Sequence, residues 1–476
     1  MKVNRMIEGR LVSKTLTGMP PDMPLPGNWW RRYAPAPSPT PEIAGLKRLI
    51  WLYWLLWLFE GALRKWIVPQ LAAQFLLVRD PVALLIIIRA TQTGIWQLNL
   101  WTSILGFLGA TSFAFTVVQG IPVSVAVIGL RTVVLHLPLI FIIGRVLTRD
   151  DVDRIGNQVL DLGLPMALLM GAQFAAGEGS FLNAGAGLDA AQIGGVGEGR
   201  IRAPGVFSFI SGAVQFFSLV TAFWLARFGR SQRVGWAFGL AGMSILIAIN
   251  VAISRSLAGA CAVVFAAFIW VLITGRVPFG RIVLFVLSAA VLVGLSLGSE
   301  VLREGNEALI SRFQSANDEE GSIFQRASGG FVISGDVLTS AGVMGHGLGI
   351  GTNMGASLMG RAGDFLLAES EWPRVVLEMG AVLGLAFIFW RICLYVKMAI
   401  DALSALQHDN SLPFLLLAAG GLNLVNGQSG QPATLGFIAM AGGLVIAASK
   451  QDDLKGRPGN PGQPLVRKRI MRRFQA

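Results

Sequence analysis

The chain has 476 residues, of which 53% are hydrophobic and only 14% are charged, and its formal net charge is +12. Soluble globular domains carry roughly a quarter charged residues, so this composition excludes that class. The positive charge is concentrated in the two tails and the short loops, which is the distribution that membrane topology requires. We therefore expect no nucleic-acid partner.

Apolar stretches recur along the chain from Leu49 to Ala448. A membrane-spanning helix needs roughly 20 mostly apolar residues, whereas a membrane β-barrel has short segments of alternating polarity. The sequence therefore predicts an all-α, polytopic transmembrane bundle of about twelve helices. The predicted spans lie at residues 49–68, 75–91, 100–119, 122–146, 155–175, 206–226, 235–252, 257–274, 282–298, 373–396, 412–426 and 434–449.

These spans divide the chain into five segments. They are a basic, proline-rich tail (1–48), nine transmembrane helices (49–299), a large polar loop (300–371), three further transmembrane helices (372–449) and a second basic tail (450–476). The first tail has no early apolar core, so a signal peptide is not expected.

Basic residues in the short loops set the predicted orientation. Loops 145–154 and 276–281 are basic, while the loop at 427–432 contains no lysine or arginine. With an even number of helices, both tails then lie in the cytoplasm. The loops at 177–204 and 300–371 lie on the opposite, outer side of the membrane.

Several arginines lie on this predicted outer side, where the positive-inside trend does not explain them. The planar guanidinium group forms paired, charge-assisted hydrogen bonds with phosphate, so we expect an anionic ligand at this surface. The candidate ligand-binding residues are Arg79, Arg131, Arg200, Arg202, Arg255, Arg326 and Arg374.

Structural roles are the alternative for these arginines. Arg255 falls between two helices with almost no loop, and snorkelling to lipid headgroups would also explain its position. Arg131 lies well inside its predicted helix, where snorkelling is harder and a salt bridge with Glu60 is the competing interpretation. Glu60 itself stands four residues before Arg64, which is the favourable spacing for a helical ion pair.

The candidate general bases are Glu369, Glu371 and His346. A carboxylate beside a basic cleft can deprotonate a hydroxyl group, although acidic residues also favour the start of a helix through its dipole. His346 lies in the glycine-rich segment 345–353, and a structural histidine in a turn is the alternative. This segment lacks the Lys-Ser/Thr ending of a phosphate-binding loop, so no nucleotide site is expected.

No metal or other cofactor is predicted. Both cysteines, Cys261 and Cys393, lie in apolar runs, where a free cysteine is commonly a small buried hydrophobe. The three histidines are too widely spaced for a zinc motif.

Four short motifs follow one another between residues 200 and 385. They are RIRAPGVF at 200–207, ISRSL at 253–257, GHGLGIG at 345–351 downstream of Arg326, and EMGAVLGL at 378–385. In this order they resemble the O-antigen ligase and polymerase family, which consists of integral-membrane glycosyltransferases of bacterial envelopes. Residues 59–66 (FEGALRKW), together with 79–81, resemble a branch of polysaccharide-polymerase-like proteins.

The resemblance implies a glycosyltransferase of the bacterial inner membrane that acts on the outer side. It would transfer an oligosaccharide from a polyprenyl pyrophosphate to a glycan acceptor, for O-antigen, capsule or exopolysaccharide synthesis, without a nucleotide sugar or metal. The arginines would bind the pyrophosphate and stabilise its developing charge, and a base would deprotonate the acceptor hydroxyl. Besides the surrounding membrane lipids, chain-length or export proteins are the candidate protein partners.

One position departs from the family pattern. Where many members have a His-Asn pair before the Glu-x-Gly motif, this chain has Glu369-Ser370, which leaves the identity of the base open. The alternative function is a lipid-linked glycan flippase or a polysaccharide transporter, for which Arg131 is the one favourable feature. A non-catalytic assembly partner is a third interpretation.

Overall fold

All regular structure in the described residues is helical, and no strand occurs among them. The computed structural model describes residues 34–38, 40–186, 201–230, 236–273, 302–311, 330–360, 367–368 and 370–450, with isolated positions between 280 and 298. In chain order the helices are α1 (Pro41–Ala62), α2 (Asp80–Gln92), α3 (Leu100–Val118), α4 (Val123–Arg131), α5 (Leu139–Val146), α6 (Arg149–Ala176), α7 (Ile210–Arg230), α8 (Trp236–Val251), α9 (Arg255–Val271), α10 (Gly335–Ala341), α11 (Asn353–Leu358), α12 (Glu371–Met379), α13 (Ala381–Gln407), α14 (Leu412–Asn426) and α15 (Pro432–Ser449). The predicted all-α fold is confirmed.

Among the residues that the structure describes, six helical spans are long and apolar enough to cross a membrane. They are Leu100–Val118, Val123–Val146, Arg149–Ala176, Ile210–Phe228, Ala381–Gln407 and Pro432–Ser449. This series of apolar helices suggests a multi-pass membrane protein. The twelve-helix count and the large loop stay predictions, because most of 282–298 and much of 300–371 lie outside the described ranges.

The first predicted span begins earlier than its hydropathy indicates. Thr40 caps α1, since its Oγ1 accepts a hydrogen bond from the Ile43 N–H at 3.4 Å. Pro41 occupies the first turn of α1, where the missing N–H costs nothing. α1 ends in a π-helical turn, Leu63–Ile67, just before Pro69.

The second predicted span, 75–91, is corrected by the structure. Two 3-10 turns, Pro69–Leu71 and Gln74–Leu77, precede α2, which begins only at Asp80. α2 has 13 residues, so it is roughly 20 Å long, which is shorter than the roughly 30 Å hydrocarbon core of a bilayer. α2 therefore does not cross a membrane by itself.

The predicted span 373–396 is also corrected, because two helices, α12 and α13, replace it. Gly380 joins them with a φ of +85°, and a Cβ at this position would lie 2.0 Å from the Val343 carbonyl oxygen. α12 folds back along α13, since a Cβ on Gly384 would lie 2.7 Å from the Val376 Cα. The polar start of α12 thereby lies beside the apolar helix α13.

α15 is the most buried of the spans, with 83% of its apolar window inside the protein. Its glycines permit close contacts with neighbouring helices. A Cβ on Gly443 would lie 2.4 Å from the Ile143 side chain, and one on Gly436 would collide with the Arg79 guanidinium. Small residues commonly allow membrane helices to approach this closely. α15 thus packs against α5 and brings its first turn to Arg79.

Polar side chains gather at the two ends of the helical bundle. At one end, Lys47 and Asp151 form a fully buried ion pair 2.6 Å long, and the Ala36 N–H donates to Asp151 at 2.7 Å. The opposite end, which we call the loop end, consists of residues 63–79, 201–209, 342–352, α12 and 427–433. The loop end is the one that the sequence places outside the cytoplasm.

The glycine-rich segment crosses α4 at the loop end without space for a side chain. Gly349 has a φ of +95°, and a Cβ there would lie 2.3 Å from the Val125 carbonyl oxygen. A Cβ on Gly129 would lie 2.4 Å from the Gly349 nitrogen. The two backbones are therefore in direct contact and need glycine on both sides.

Replacing Gly129 tests this crossing. We expect Gly129→Ala to lower the free energy of unfolding by about 1–3 kcal/mol, because the added methyl group forces two backbones apart. The matched control is Gly106→Ala in α3, where an added Cβ has no atom within 4 Å. The control should leave stability unchanged or raise it by up to about 1 kcal/mol. Denaturant unfolding of the purified protein in detergent measures both, and equal stabilities would contradict the crossing.

Candidate functional site

A cleft opens at the loop end between the end of α1, the 201–209 segment and the start of α15. Its polar wall consists of Glu60, Arg64, Ser208 and Gln431, while Trp57, Leu76, Phe207 and Phe209 supply its apolar wall. The cleft therefore places a cationic group beside aromatic and aliphatic surface.

Arg64 is held in the cleft by three contacts with the described chain. Its Nε donates to the Ala72 carbonyl at 2.8 Å, and its Nη1 donates to the Ser208 hydroxyl at 3.3 Å. The same Nη1 lies 3.6 Å from Glu60 Oε1. Within the described ranges none of these contacts uses Nη2.

Lys65 and Gln173 fix the segment that forms one wall of the cleft. The buried Lys65 ammonium donates to the Gly205 and Phe207 carbonyls at 2.6 and 2.9 Å. Gln173 accepts a hydrogen bond from the Gly205 N–H at 2.8 Å and donates one to the Gly205 carbonyl at 3.0 Å. Gly205 has a φ of +63°, which suits glycine. Side chains from α1 and α6 thus set the backbone path of 205–207.

Behind the cleft, Glu60 forms an ion pair with Arg79. The Arg79 Nε donates to Glu60 Oε2 at 3.0 Å, and the Arg79 Nη2 donates to the Pro432 carbonyl. Arg79 is only 2% exposed, and its Nη1 has no hydrogen-bond partner in the part of the chain that the structure describes. An unsatisfied guanidinium N–H at this depth is costly.

A second buried network surrounds Asp80. The Arg131 Nη1 lies 2.6 and 2.7 Å from the two Asp80 carboxylate oxygens, and the His136 Nε2 lies 3.0 Å from Oδ1. The Tyr53 hydroxyl hydrogen-bonds the His136 Nδ1 at 2.8 Å. The alternative salt bridge between Arg131 and Glu60 is therefore wrong, because the Glu60 carboxylate faces Arg79 and Arg64 instead.

Glu371 is the centre of a third network, which joins α12, α13 and the 427–431 loop. Its Oε1 accepts hydrogen bonds from Arg391 at 2.6 Å and from the Ser429 N–H and hydroxyl at 3.1 and 2.7 Å. Its Oε2 accepts one from the Arg374 Nε at 2.9 Å. Burial alone would raise the pKa of this carboxyl, but the two guanidinium groups and Ser429 hold the pKa below its usual range.

The glycine-rich segment is attached to the end of α12. The His346 and Gly347 N–H groups donate to the carbonyls of Leu377 and Glu378, at 2.6 and 3.2 Å. The Glu378 carboxylate accepts the Gly351 N–H at 2.7 Å and forms an ion pair with Arg374 at 2.9 Å. The His346 side chain is exposed, and its Nε2 is 3.2 Å from the Ser340 hydroxyl.

The predicted site residues thus fall into separate groups. Arg79, Arg131 and Arg374 are each paired with a buried or half-buried carboxylate, while Arg202, in the 201–209 segment, and Arg255, at the start of α9, are half-buried. Arg200, Arg326 and Glu369 lie outside the described residues. Within the described ranges no group of three or more His, Cys, Asp or Glu residues is placed to hold a metal ion.

Sequence reasoning missed two participants in these networks. Arg391 lies in the apolar helix α13, and a charged residue within such a helix indicates from the sequence alone that it has a buried partner or a function. Lys65 belongs to the FEGALRKW motif but carries no predicted role of its own. Its carbonyl partners, 140 and 142 positions away, have no local sequence signal.

Comparison with known proteins does not assign this chain to a family. No protein-family model matches the chain, and no curated protein matches it. The site must therefore be interpreted from its own contacts.

Removing the central carboxylate should destabilise the loop end. We expect Glu371→Gln to lower the free energy of unfolding by about 3–5 kcal/mol, because it leaves the buried Arg391 without its counter-charge and Arg374 with Glu378 alone. Denaturant unfolding in detergent measures this loss.

The matched control is Asp401→Asn, which breaks the Lys397–Asp401 ion pair of α13. Both partners of that pair are more than 40% exposed, so the change should stay within about 0.5 kcal/mol. A Glu371→Gln variant as stable as this control would show that Glu371 does not hold the three segments together.

Proposed function

We propose that the protein is a membrane glycan polymerase or ligase. It transfers a polyprenyl-pyrophosphate-linked oligosaccharide to a glycan acceptor at the loop end, on the outer side of the bacterial inner membrane. The product is an O-antigen, capsule or exopolysaccharide chain, and no metal or other cofactor takes part.

The observation that carries this proposal is the pairing of motifs at one end of the bundle. The FEGALRKW motif contacts the RIRAPGVF segment through Lys65, which donates to the Gly205 and Phe207 carbonyls. The GHGLGIG segment contacts the EMGAVLGL motif through the Gly347 and Gly351 N–H groups, which donate to Glu378. Segments chosen for their resemblance alone thus pack in pairs, which favours a common role in one site.

We assign different roles to the candidate arginines. Arg200, Arg202 and Arg255 belong to the motifs that carry the resemblance and Arg326 lies upstream of the third, so we assign these four to the pyrophosphate. Arg79, Arg131 and Arg374 already have carboxylate partners, so we assign them to support of the site. A pyrophosphate would have to compete with those carboxylates for the same guanidinium groups.

The geometry also separates the candidate bases. Both oxygens of Glu371 are occupied by hydrogen-bond donors, and the residue is fully buried, so its carboxylate does not suit proton transfer from a glycan. We assign the base to Glu369 or to the exposed His346. Positioning of the acceptor beside the donor is a further contribution to the rate of the transfer reaction.

In the proposed reaction the acceptor hydroxyl oxygen attacks the anomeric carbon of the donor sugar. A new carbon–oxygen bond forms while the bond to the pyrophosphate oxygen breaks, and the anomeric centre is inverted. The base takes the hydroxyl proton, and the leaving pyrophosphate keeps the bonding electron pair. The arginines stabilise the negative charge that develops on it.

A second candidate function, a lipid-linked glycan flippase or transporter, is favoured by the Asp80 network. Arg131, His136 and Asp80 are ionisable groups within apolar helices, which commonly mark transport pathways. The charges of this network are paired with each other, however, since Arg131 and Asp80 form an ion pair. The cleft at the loop end is instead lined by the cationic side chain of Arg64.

The length of lipid-linked glycans in cells that lack the protein tests the proposal. Cells without it should accumulate single repeat units on lipid outside the inner membrane, and the wild-type gene should restore long chains. Arg255→Ala should fail to restore them at normal protein level, because the pyrophosphate loses a charged partner. Gel electrophoresis of the extracted glycans measures chain length.

The matched control is Arg89→Ala, which removes an exposed arginine of α2 and should restore long chains. Full-length chains that remain on lipid would indicate a ligase. Units trapped on the cytoplasmic side would indicate a flippase and contradict the transferase. Long chains with Arg255→Ala would contradict the role of that arginine.

A further inference from the structure

We infer that the cleft at Arg64 binds the phosphate group of a lipid-borne phosphate or pyrophosphate, with Arg64 as its direct ligand. This site deepens the proposed function and rests on it for its biological meaning, since a transferase needs a place for the head of its lipid donor. Of the predicted arginines that the structure describes, none lines the cleft directly, although Arg202 belongs to the 201–209 segment that forms one of its walls.

The first support is an excess of buried positive charge. Arg64 and Arg79 are each at most 6% exposed, and Glu60 is the one carboxylate that forms an ion pair with either of them in the described ranges. Two guanidinium groups against one carboxylate leave one positive charge in a region of low dielectric. The nearest other carboxylate, Asp80, is engaged by Arg131 and His136. Such an excess is costly unless an anion neutralises it.

The second support is the orientation of the Arg64 guanidinium. Its Nε and Nη1 are fixed by the Ala72 carbonyl and the Ser208 hydroxyl, so the group is held in one position before any ligand arrives. No described residue bonds its Nη2, and the side chain lines the cleft. A phosphate oxygen at this nitrogen would receive a charge-assisted hydrogen bond. The Ser208 hydroxyl and the Gln431 amide are further polar groups of the same cleft.

The third support is that Glu60 is shared between Arg79 and Arg64. Its carboxylate lies 3.0 Å from the Arg79 Nε and 3.6 Å from the Arg64 Nη1. A single carboxylate does not neutralise both guanidinium groups. An anion in the cleft would neutralise the charge of Arg64, so that the Glu60 carboxylate would neutralise Arg79 alone.

The rim of the cleft indicates that the anion arrives on a lipid. Leu76 lines the cleft and belongs to the 3-10 turn Gln74–Leu77. Ile67 and Leu71, which lie between Arg64 and Leu76 in the chain, are 67% and 45% exposed. An apolar rim beside a cationic wall suits the junction between an isoprenoid chain and its phosphate, whereas a soluble anion needs no apolar rim.

Direct binding tests the site without any transfer reaction. The full-length protein in phosphatidylcholine nanodiscs is titrated calorimetrically with geranylgeranyl pyrophosphate, inorganic pyrophosphate and geranylgeraniol. We expect the lipid pyrophosphate to bind most tightly. Arg64→Gln should weaken it about tenfold or more, because one charge-assisted contact is lost. Ser208→Ala should weaken it by about threefold, because Arg64 loses a positioning bond.

The matched control is Arg89→Gln, which removes an exposed arginine at the far end of α2 and should leave binding unchanged. Equal affinity of wild type and Arg64→Gln, at equal thermal stability, would overturn the site. Should Arg64→Gln fail to fold, Arg64→Lys and Ser208→Ala take its place, and wild-type affinity in both would overturn the site.

The ligand series separates the sources of the anion. Inorganic pyrophosphate that binds as tightly as the lipid form would overturn the lipid assignment, and geranylgeraniol that does so would overturn the phosphate assignment. Loss of binding in Arg64→Gln together with normal glycans in cells that lack the protein would leave the site intact and refute the proposed transferase. Long glycans in Arg64→Gln cells, with unchanged binding, would refute the site and leave the transferase intact.

Discussion

The carboxylate of Glu371 accepts hydrogen bonds from three segments that are far apart in the chain. Arg374 belongs to its own helix, Arg391 comes from α13, and Ser429 comes from the loop before α15. Arg391 also donates to the carbonyls of Asn423 and Leu424, which end α14. In a protein interior of low dielectric these charges have no other solvation, so the separation of any one partner would leave the others uncompensated. The folding of α12 against α13 and the path of residues 427–433 both depend on this pairing.

The two polar groups of the loop end differ in their charge balance. Glu371 and Glu378 match Arg374 and Arg391, so this group is electrically neutral and closed to further ligands. The cleft group has one carboxylate, Glu60, for two guanidinium groups, those of Arg64 and Arg79, and the Arg64 side chain lines the cleft. We therefore interpret the first group as the support of the site and the second as the part that meets a ligand.

Local patterns in the sequence predicted those features whose cause is local. The predicted bounds 412–426 coincide with those of α14, because a continuous apolar run with a proline in its first turn is typical of a helix. The ion pair of Glu60 with Arg64 follows from their helical spacing. The partner of Arg131 could not be predicted in this way, since Asp80 is 51 positions away and only packing brings them together. The split at Gly380 was missed because glycine within an apolar run does not by itself reveal a positive φ.

Residues 429–433 connect the two groups, which limits how substitutions at the loop end should be interpreted. Ser429 bonds to Glu371 and Arg374, whereas the carbonyls of Pro432 and Ala433 accept hydrogen bonds from Arg79 and Trp57. A Cβ on Gly430 would lie 3.2 Å from the Gly351 carbonyl oxygen, so the loop has little freedom to move. A substitution at Arg374 or Arg391 therefore displaces the wall of the cleft as well as its own ion pair. Loss of function in such a variant reflects the position of Arg79 and Trp57, and direct contact with a ligand is better judged at Arg64, where the neighbouring groups are held by separate bonds.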